Sequence, residues 1–357
     1  MSDLEKGILL VQVEDQIHNS GYHLTFTRVK DGILTRMKAI NETSSTGFIL
    51  IGFSVSNETS LCLFVLITVV YAVTITSNIV IIAIVKTEQR LHKPMYFFIG
   101  GLAFLEIWYP SATVPRLLWA LLTKEKSISH GACMAQFYFH FACGATENFL
   151  LAVMAYDRYV AICHPLRYVL ILSPRICMNL LVGSWLFGFI VIIIPCLQIS
   201  NLLYCGHNEI DHYYCDFAPL LKLSCSEISA TENAFFGIAC FVIFGCFLPI
   251  ILSYIFIIRT ILTFPASGRR RAFSTCASHL IVVFIFYSTI IFMFIRPTTG
   301  DFLHVNKVIS IFPSIVTPLL NPIIYTLRNQ EVKSVVKKTI QGITFWKSEE
   351  GNVCSKF

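Results

Sequence analysis

Met154-Ala155-Tyr156-Asp157-Arg158-Tyr159-Val160-Ala161-Ile162-Cys163-His164-Pro165-Leu166-Arg167-Tyr168 closes a long apolar run that begins at Gly131. A charged Asp-Arg pair is costly inside a bilayer unless it is paired or reaches the interface. Its place at the end of such a run marks a membrane boundary. The composition around it agrees. Only 13% of the residues are charged and 55% are hydrophobic, with a mean hydropathy of +0.69, against about 25% charged residues in an ordinary soluble domain. So little polar surface is incompatible with a soluble enzyme, a disordered chain or a small disulfide scaffold.

Working outward, seven runs have the roughly 20 apolar residues that a span requires. They are Leu61–Val85, Met95–Val114, Gly131–Tyr156, Ile176–Ile199, Ala234–Ile258, Ala272–Ile295 and Val308–Leu327. The first, fourth, fifth and seventh lack Asp, Glu, Lys and Arg, while the second and third each hold one carboxylate, Glu106 and Glu147. Ten basic residues lie on the side of Asp157-Arg158, among them Lys86, Arg90, Arg167, Arg175 and Arg269–Arg271; five lie on the other. The positive-inside bias puts the first set and the C-terminus in the cytoplasm and the N-terminus outside. The net charge of +6 therefore sits in short loops, which argues against a nucleic-acid groove.

Further signals agree with that orientation. Asn41-Glu42-Thr43 and Asn57-Glu58-Thr59 are glycosylation acceptors ahead of the first span. The Ser200–Glu232 loop carries five acids, one Lys, and three cysteines, Cys205, Cys215 and Cys225; disulfides persist outside the cell. Other cysteines, such as Cys62, Cys177, Cys240 and Cys246, fall inside apolar runs as small hydrophobes. Residues 1–36 lack a signal peptide's apolar core and read as a dispensable extension or an alternative start ahead of Met37. The expected organisation is an extracellular segment over 1–60, a bundle over 61–327 and a cytoplasmic tail over 328–357. In the tail, Val332, Val335, Val336 and Ile340 form an apolar stripe opposed by Lys333, Lys337 and Lys338. This predicts a short helix lying on the lipid of the inner leaflet. The expected fold is thus an all-α membrane protein, a seven-helix bundle with a short amphipathic eighth helix.

The fifteen-residue string around Asp157 resembles the signature of odorant receptors, a branch of the rhodopsin-like G-protein-coupled receptors. Leu91-His92-Lys93-Pro94-Met95-Tyr96-Phe97-Phe98 resembles that family's entry to span two, and Arg271-Ala272-Phe273-Ser274-Thr275-Cys276-Ala277-Ser278-His279-Leu280 its entry to span six. Asn321-Pro322-Ile323-Ile324-Tyr325-Thr326-Leu327-Arg328-Asn329 resembles its end of span seven. Departures are Ser77 before Asn78, Glu106 where Asp is commoner, Arg271 where Lys is usual, and Pro313 where an aromatic residue is common.

The resemblance implies a receptor for a small volatile odorant that activates a heterotrimeric G protein of the stimulatory class. It requires no cofactor. It implies disulfides Cys133–Cys215 and Cys205–Cys225, although four cysteines alone allow three pairings. With Cys215 so bonded, His212-Tyr213-Tyr214-Cys215-Asp216 loses its thiolate, and no metal is expected. It also implies a polar network joining Asn78, Glu106, Glu147 and Asn321. A ligand pocket is expected among His140, Phe141, Gly144, Ala145, Ile238, Val242, Tyr287, Ile290, Phe294 and Ser314. A switch is expected at Asp157, Arg158, Tyr159, Tyr254 and Tyr325, with Asp157 holding Arg158 in the inactive state. A channel or transporter is disfavoured by the lack of an internal repeat or a ring of pore charges. An enzyme is disfavoured because the H-E-x-x-H, Walker and nucleophile-elbow motifs are missing.

Overall fold

The computed structural model describes residues 47–53, 55–205, 208–295, 302–328 and 332–335. Asn41, the 1–36 extension, Val336, Lys337, Lys338 and Ile340 lie outside the described residues. So does the side chain of Phe294. Span one is Asn57–Thr87. Span two is Pro94–Ser111, continued after a break by Val114–Thr123. Span three is His130–Cys163. Span four is Pro174–Val191 continued by Ile193–Ser200, span five Ser229–Leu262 and span six Ala266–Ile295. Span seven runs Phe302–Ile309, Phe312–Val316 and Thr317–Arg328. Local chemistry sets several starts. Ser56 Oγ accepts from Thr59 N–H and Ser129 Oγ from Ala132 N–H, each capping a helix. Pro94 and Pro174 open theirs, where a missing N–H costs nothing.

Six of the spans are long and apolar enough to cross a membrane by length and composition. Span three is the exception, because it is the polar axis of the bundle. Gln136, His140, Glu147, Asn148, Asp157 and Arg158 are all buried along it, in contact with spans two, four, five and six. A helix that faces protein on most sides need not be apolar. Span four meets it closely at Gly188. A Cβ at that position would lie 2.7 Å from Thr146 N and 2.8 Å from Thr146 Cα. Residues Val332–Val335 are helical, with Val332 and Val335 buried against the core and Lys333 exposed.

The reading of an all-α chain missed one element. Strand β1 (Gly47–Leu50) pairs antiparallel with β2 (Ser127–Ser129) and parallel with β3 (Glu209–Ile210). The three strands are too short to show period-2 patterning. The sheet gathers the N-terminal segment and two loops at one end of the bundle. Beyond β1, Gly52 adopts φ +65°, a conformation that favours glycine. Its carbonyl accepts Lys307 Nζ at 2.9 Å, and Lys307 also bonds Asp211. The buried Lys307 of span seven is thereby tied to both the N-terminal segment and the loop.

Gly188→Val is expected to lower surface expression several-fold, since overpacking a close helix contact costs about 1–3 kcal/mol. Gly183→Val, where a Cβ meets nothing within 4 Å, should leave expression within about twofold of the parent. Flow cytometry of tagged protein on intact cells measures both.

Candidate functional site

At the sheet end, Cys133 at the start of span three is bonded to Cys215, and Cys205 to Cys225. Gln136, one turn below Cys133, accepts the Cys215 N–H at 3.0 Å and donates to the Ala112 carbonyl at 3.1 Å. The loop is thus fixed over the bundle covalently and by a buried amide. His212 Nε2 lies 3.3 Å from Ser310 Oγ, and its Nδ1 accepts Tyr214 N–H. With Nδ1 an acceptor, the proton sits on Nε2. Burial, reinforced by Lys307, holds this imidazole well below its ordinary value. Burial pushes Asp216 up to about 6, although Tyr214 and the Phe217 amide favour its charged form.

Tyr214 roofs a cavity of about 110 Å³ among spans three, five, six and seven, with Tyr109 of span two and Ile192 of span four also in its wall. His140, Phe141, Gly144, Ala145, Ile238, Val242 and Ile290 line it, as do Tyr109, Asn148, Phe235, Met293 and Pro313. Tyr287 and Ser314 lie outside this lining. Tyr287 is buried with its ring 4.6 Å from Phe247. Ser314 is buried in a π-helical turn that presents Pro313 to the cavity instead. Gly144 lets the Tyr109 hydroxyl approach, since a Cβ there would stand 3.2 Å from it. The His140 ring packs on Tyr214 and Tyr109 at 4.3 and 5.0 Å. Two polar atoms of lining residues, His140 Nδ1 and Asn148 Oδ1, lack a partner among the described residues. Asn148 spends its Nδ2 on the Gly144 carbonyl at 2.9 Å.

Deeper in the bundle, Asn321 Nδ2 donates to Glu106 Oε1. Among the described residues, no direct hydrogen bond joins this pair to Asn78 or Glu147. Asn78 Nδ2 donates to the carbonyls of Thr74 at 2.9 Å and Pro318 at 3.3 Å. The second of these carbonyls is free because Pro322, four residues on, has no N–H to offer it. Both oxygens of Glu147 and Oε2 of Glu106 lack a partner among the described residues.

At the opposite end, Asp157 Oδ1 accepts the Tyr168 hydroxyl at 2.8 Å. Asp157 and Arg158 make no ion pair within 4 Å, because adjacent residues on a helix do not face one another. Arg158 is buried near Tyr254, His279 and Tyr325. The Tyr254 hydroxyl lies 2.8 Å from His279 Nδ1, and His279 Nε2 lies 3.1 Å from the Leu151 carbonyl. A carbonyl only accepts, so Nε2 carries the proton and Tyr254 donates to Nδ1. One imidazole therefore links spans three, five and six. Tyr159 bonds His164, and Tyr325 is buried with its hydroxyl unpartnered among the described residues. His279 and Tyr168 were missed as functional residues. Each was visible inside a quoted motif, but neither motif says what its side chain touches.

A profile of the olfactory receptor family matches residues 67–342. The chain belongs to that family. It is 47% identical to human olfactory receptor 11L1 over 306 residues, 85% of this chain and 95% of that protein. It is 49% identical to human olfactory receptor 6B1 over 302 residues, 85% and 97% of the two. Squid rhodopsin shares the fold with a TM-score of 0.61 and 17% identity, over 80% of this chain and 81% of that one. The chain is therefore a multi-pass membrane receptor of the G-protein-coupled class.

Asp216 ionises less readily folded than unfolded, so the stability it contributes is present below about pH 4 and lost as pH rises through about 6. The buried neutral His212 acts with the opposite sign and is common to parent and variant. The thermal midpoint of Asp216→Asn relative to the parent should rise between pH 4 and 7. Thermal scans of both purified proteins across that range measure the difference.

Proposed function

We propose that this receptor binds a small volatile odorant in the cavity below Tyr214 and activates a heterotrimeric G protein of the stimulatory class. The Asp157 end faces the cytoplasm and the sheet end faces outside. The basic loops cluster at the Asp157 end, and the disulfides and the exposed Asn57 acceptor lie at the other. The short helix after span seven rests Val332 and Val335 on the bundle and offers the exposed Lys333 to inner-leaflet lipid.

The cavity suits an apolar molecule with one hydroxyl group. Its walls are mainly aliphatic and aromatic, and Asn148 Oδ1 offers an acceptor for that hydroxyl. The observation that carries the reading is the His279 link. It joins three spans at the end where a G protein docks, so two packings of span six differ by the loss of two hydrogen bonds. An odorant that favours the open packing shifts the population only through its differential affinity for it. Opening frees Tyr254 from His279 and brings it to Arg158, whose guanidinium stays charged and offers five donors. Beside this opening, Leu166, Val169 and Leu170 are 97, 72 and 78% exposed. They form an apolar foothold on the loop that Tyr168 ties to Asp157.

With surface expression normalised, Arg158→Ala should abolish odorant-evoked cyclic AMP, and His279→Ala should raise the basal level. The coupling at stake is about 1–3 kcal/mol. Arg158→Ala signalling like the parent would refute the switch. An odorant-evoked current that persists without G protein would mark a channel instead. Asn148→Ala should shift the half-maximal concentration for alcohols upward by roughly tenfold, about one hydrogen bond. The same variant should respond to hydrocarbons as the parent does.

A further inference from the structure

A groove between spans two and three lies on the opposite side of span three from the cavity below Tyr214. Span two breaks after Ser111, with Pro110 in its last turn, and restarts at Val114 with Pro115 in the first turn of the new helix. The groove, of about 570 Å³, lies beside this break. Its floor is short, made by Ala112, Ala132 and Ala135. Trp108 and Phe139 wall it, 46 and 39% exposed, with rings 6.4 Å apart. At its loop end stands Arg116. The guanidinium donates to the Glu125 carbonyl at 3.1 Å and to the Ser127 carbonyl. It makes no ion pair among the described residues. Backbone acceptors thus hold the cation in place; the Glu125 carboxylate acts on it electrostatically but is bonded to Ser127 Oγ and makes no ion pair with it, so part of the donor fork is available.

We propose that this groove binds a phospholipid of the outer leaflet, with the phosphate on Arg116 and an acyl chain laid over Trp108 and Phe139. A planar fork with fixed donors matches phosphate oxygens. Aromatic rings at the level of the headgroups suit the step from polar to apolar lipid. The leaflet follows from the orientation proposed above; the groove itself does not depend on it. The lipid also reaches the odorant site. Gln136 lines the groove and accepts the Cys215 N–H, and Cys215 is joined through the chain to Tyr214, the cavity roof. A lipid packed on Gln136 steadies that roof, and by linkage odorant and lipid raise each other's affinity by the same factor.

Native mass spectrometry of the full-length receptor, titrated in micelles with phosphatidylglycerol or with diacylglycerol of the same chains, tests this. The parent should retain phosphatidylglycerol about tenfold better than diacylglycerol. Arg116→Gln should lose that preference. Ala135→Phe, which fills the floor and leaves the Arg116 bonds alone, should lose both lipids. Lys124→Gln, exposed at the same end but outside the groove, should behave as the parent. Equal retention of the two lipids by the parent, or full retention by either groove variant, overturns the proposal. Should Arg116→Gln fail to reach the membrane, Ala135→Phe and the headgroup comparison on the parent still decide it. The assay involves neither odorant nor G protein and is blind to orientation, so its failure would leave the receptor mechanism standing.

Discussion

A buried polar group in a membrane protein has no water to turn to, so it either finds a partner inside the bundle or stays unsatisfied at a cost. The placement of span three follows from this constraint. It carries His140, Glu147, Asn148, Asp157 and Arg158, and the other spans close around it with mostly apolar outer faces. Where another span brings a polar demand of its own, the demand is met locally. Pro322 releases the Pro318 carbonyl and Asn78 takes it. The kink and the asparagine are one device shared between spans one and seven.

The same constraint separates two kinds of polar residue. Some are fully occupied: Gln136 bridges span two and the disulfide loop, and His279 bridges three spans. These hold a geometry. Others retain an idle atom, as at His140, Asn148 and Glu147. A buried acceptor left unsatisfied costs about 1–3 kcal/mol, and a molecule that supplies the missing donor recovers that energy. On the proposed reading, the cavity discriminates by hydrogen bonding at His140 and Asn148 as well as by shape.

Much of the architecture was legible from hydropathy and charge, because a span must be apolar over a fixed length whatever it packs against. The site was legible in part. Phe141, Gly144, Ala145, Ile238, Val242 and Ile290 lie at positions carried over from the resemblance and line the cavity. Tyr287 packs on Phe247 instead, and in span seven a π-turn presents Pro313 in place of Ser314; such a turn leaves no periodic trace. The pairing of Asp157 with Tyr168 was equally hidden. Two adjacent charges invite pairing on paper, while the helix points them apart by about 100°. The three-stranded sheet escaped because its strands have two to four residues.

That sheet imposes an order on biosynthesis. Strand β1 is made first, yet its parallel partner at Glu209–Ile210 emerges about 160 residues later. At roughly 5–20 residues per second, the segment waits on the order of ten seconds or more with its backbone edge open. During that interval it is a template for mispairing with other chains. The last lock, Lys307 on the Gly52 carbonyl and Asp211, comes later still, with span seven. Assembly of this end of the bundle is therefore a long-range closure of a segment made before the first span against one made with the last.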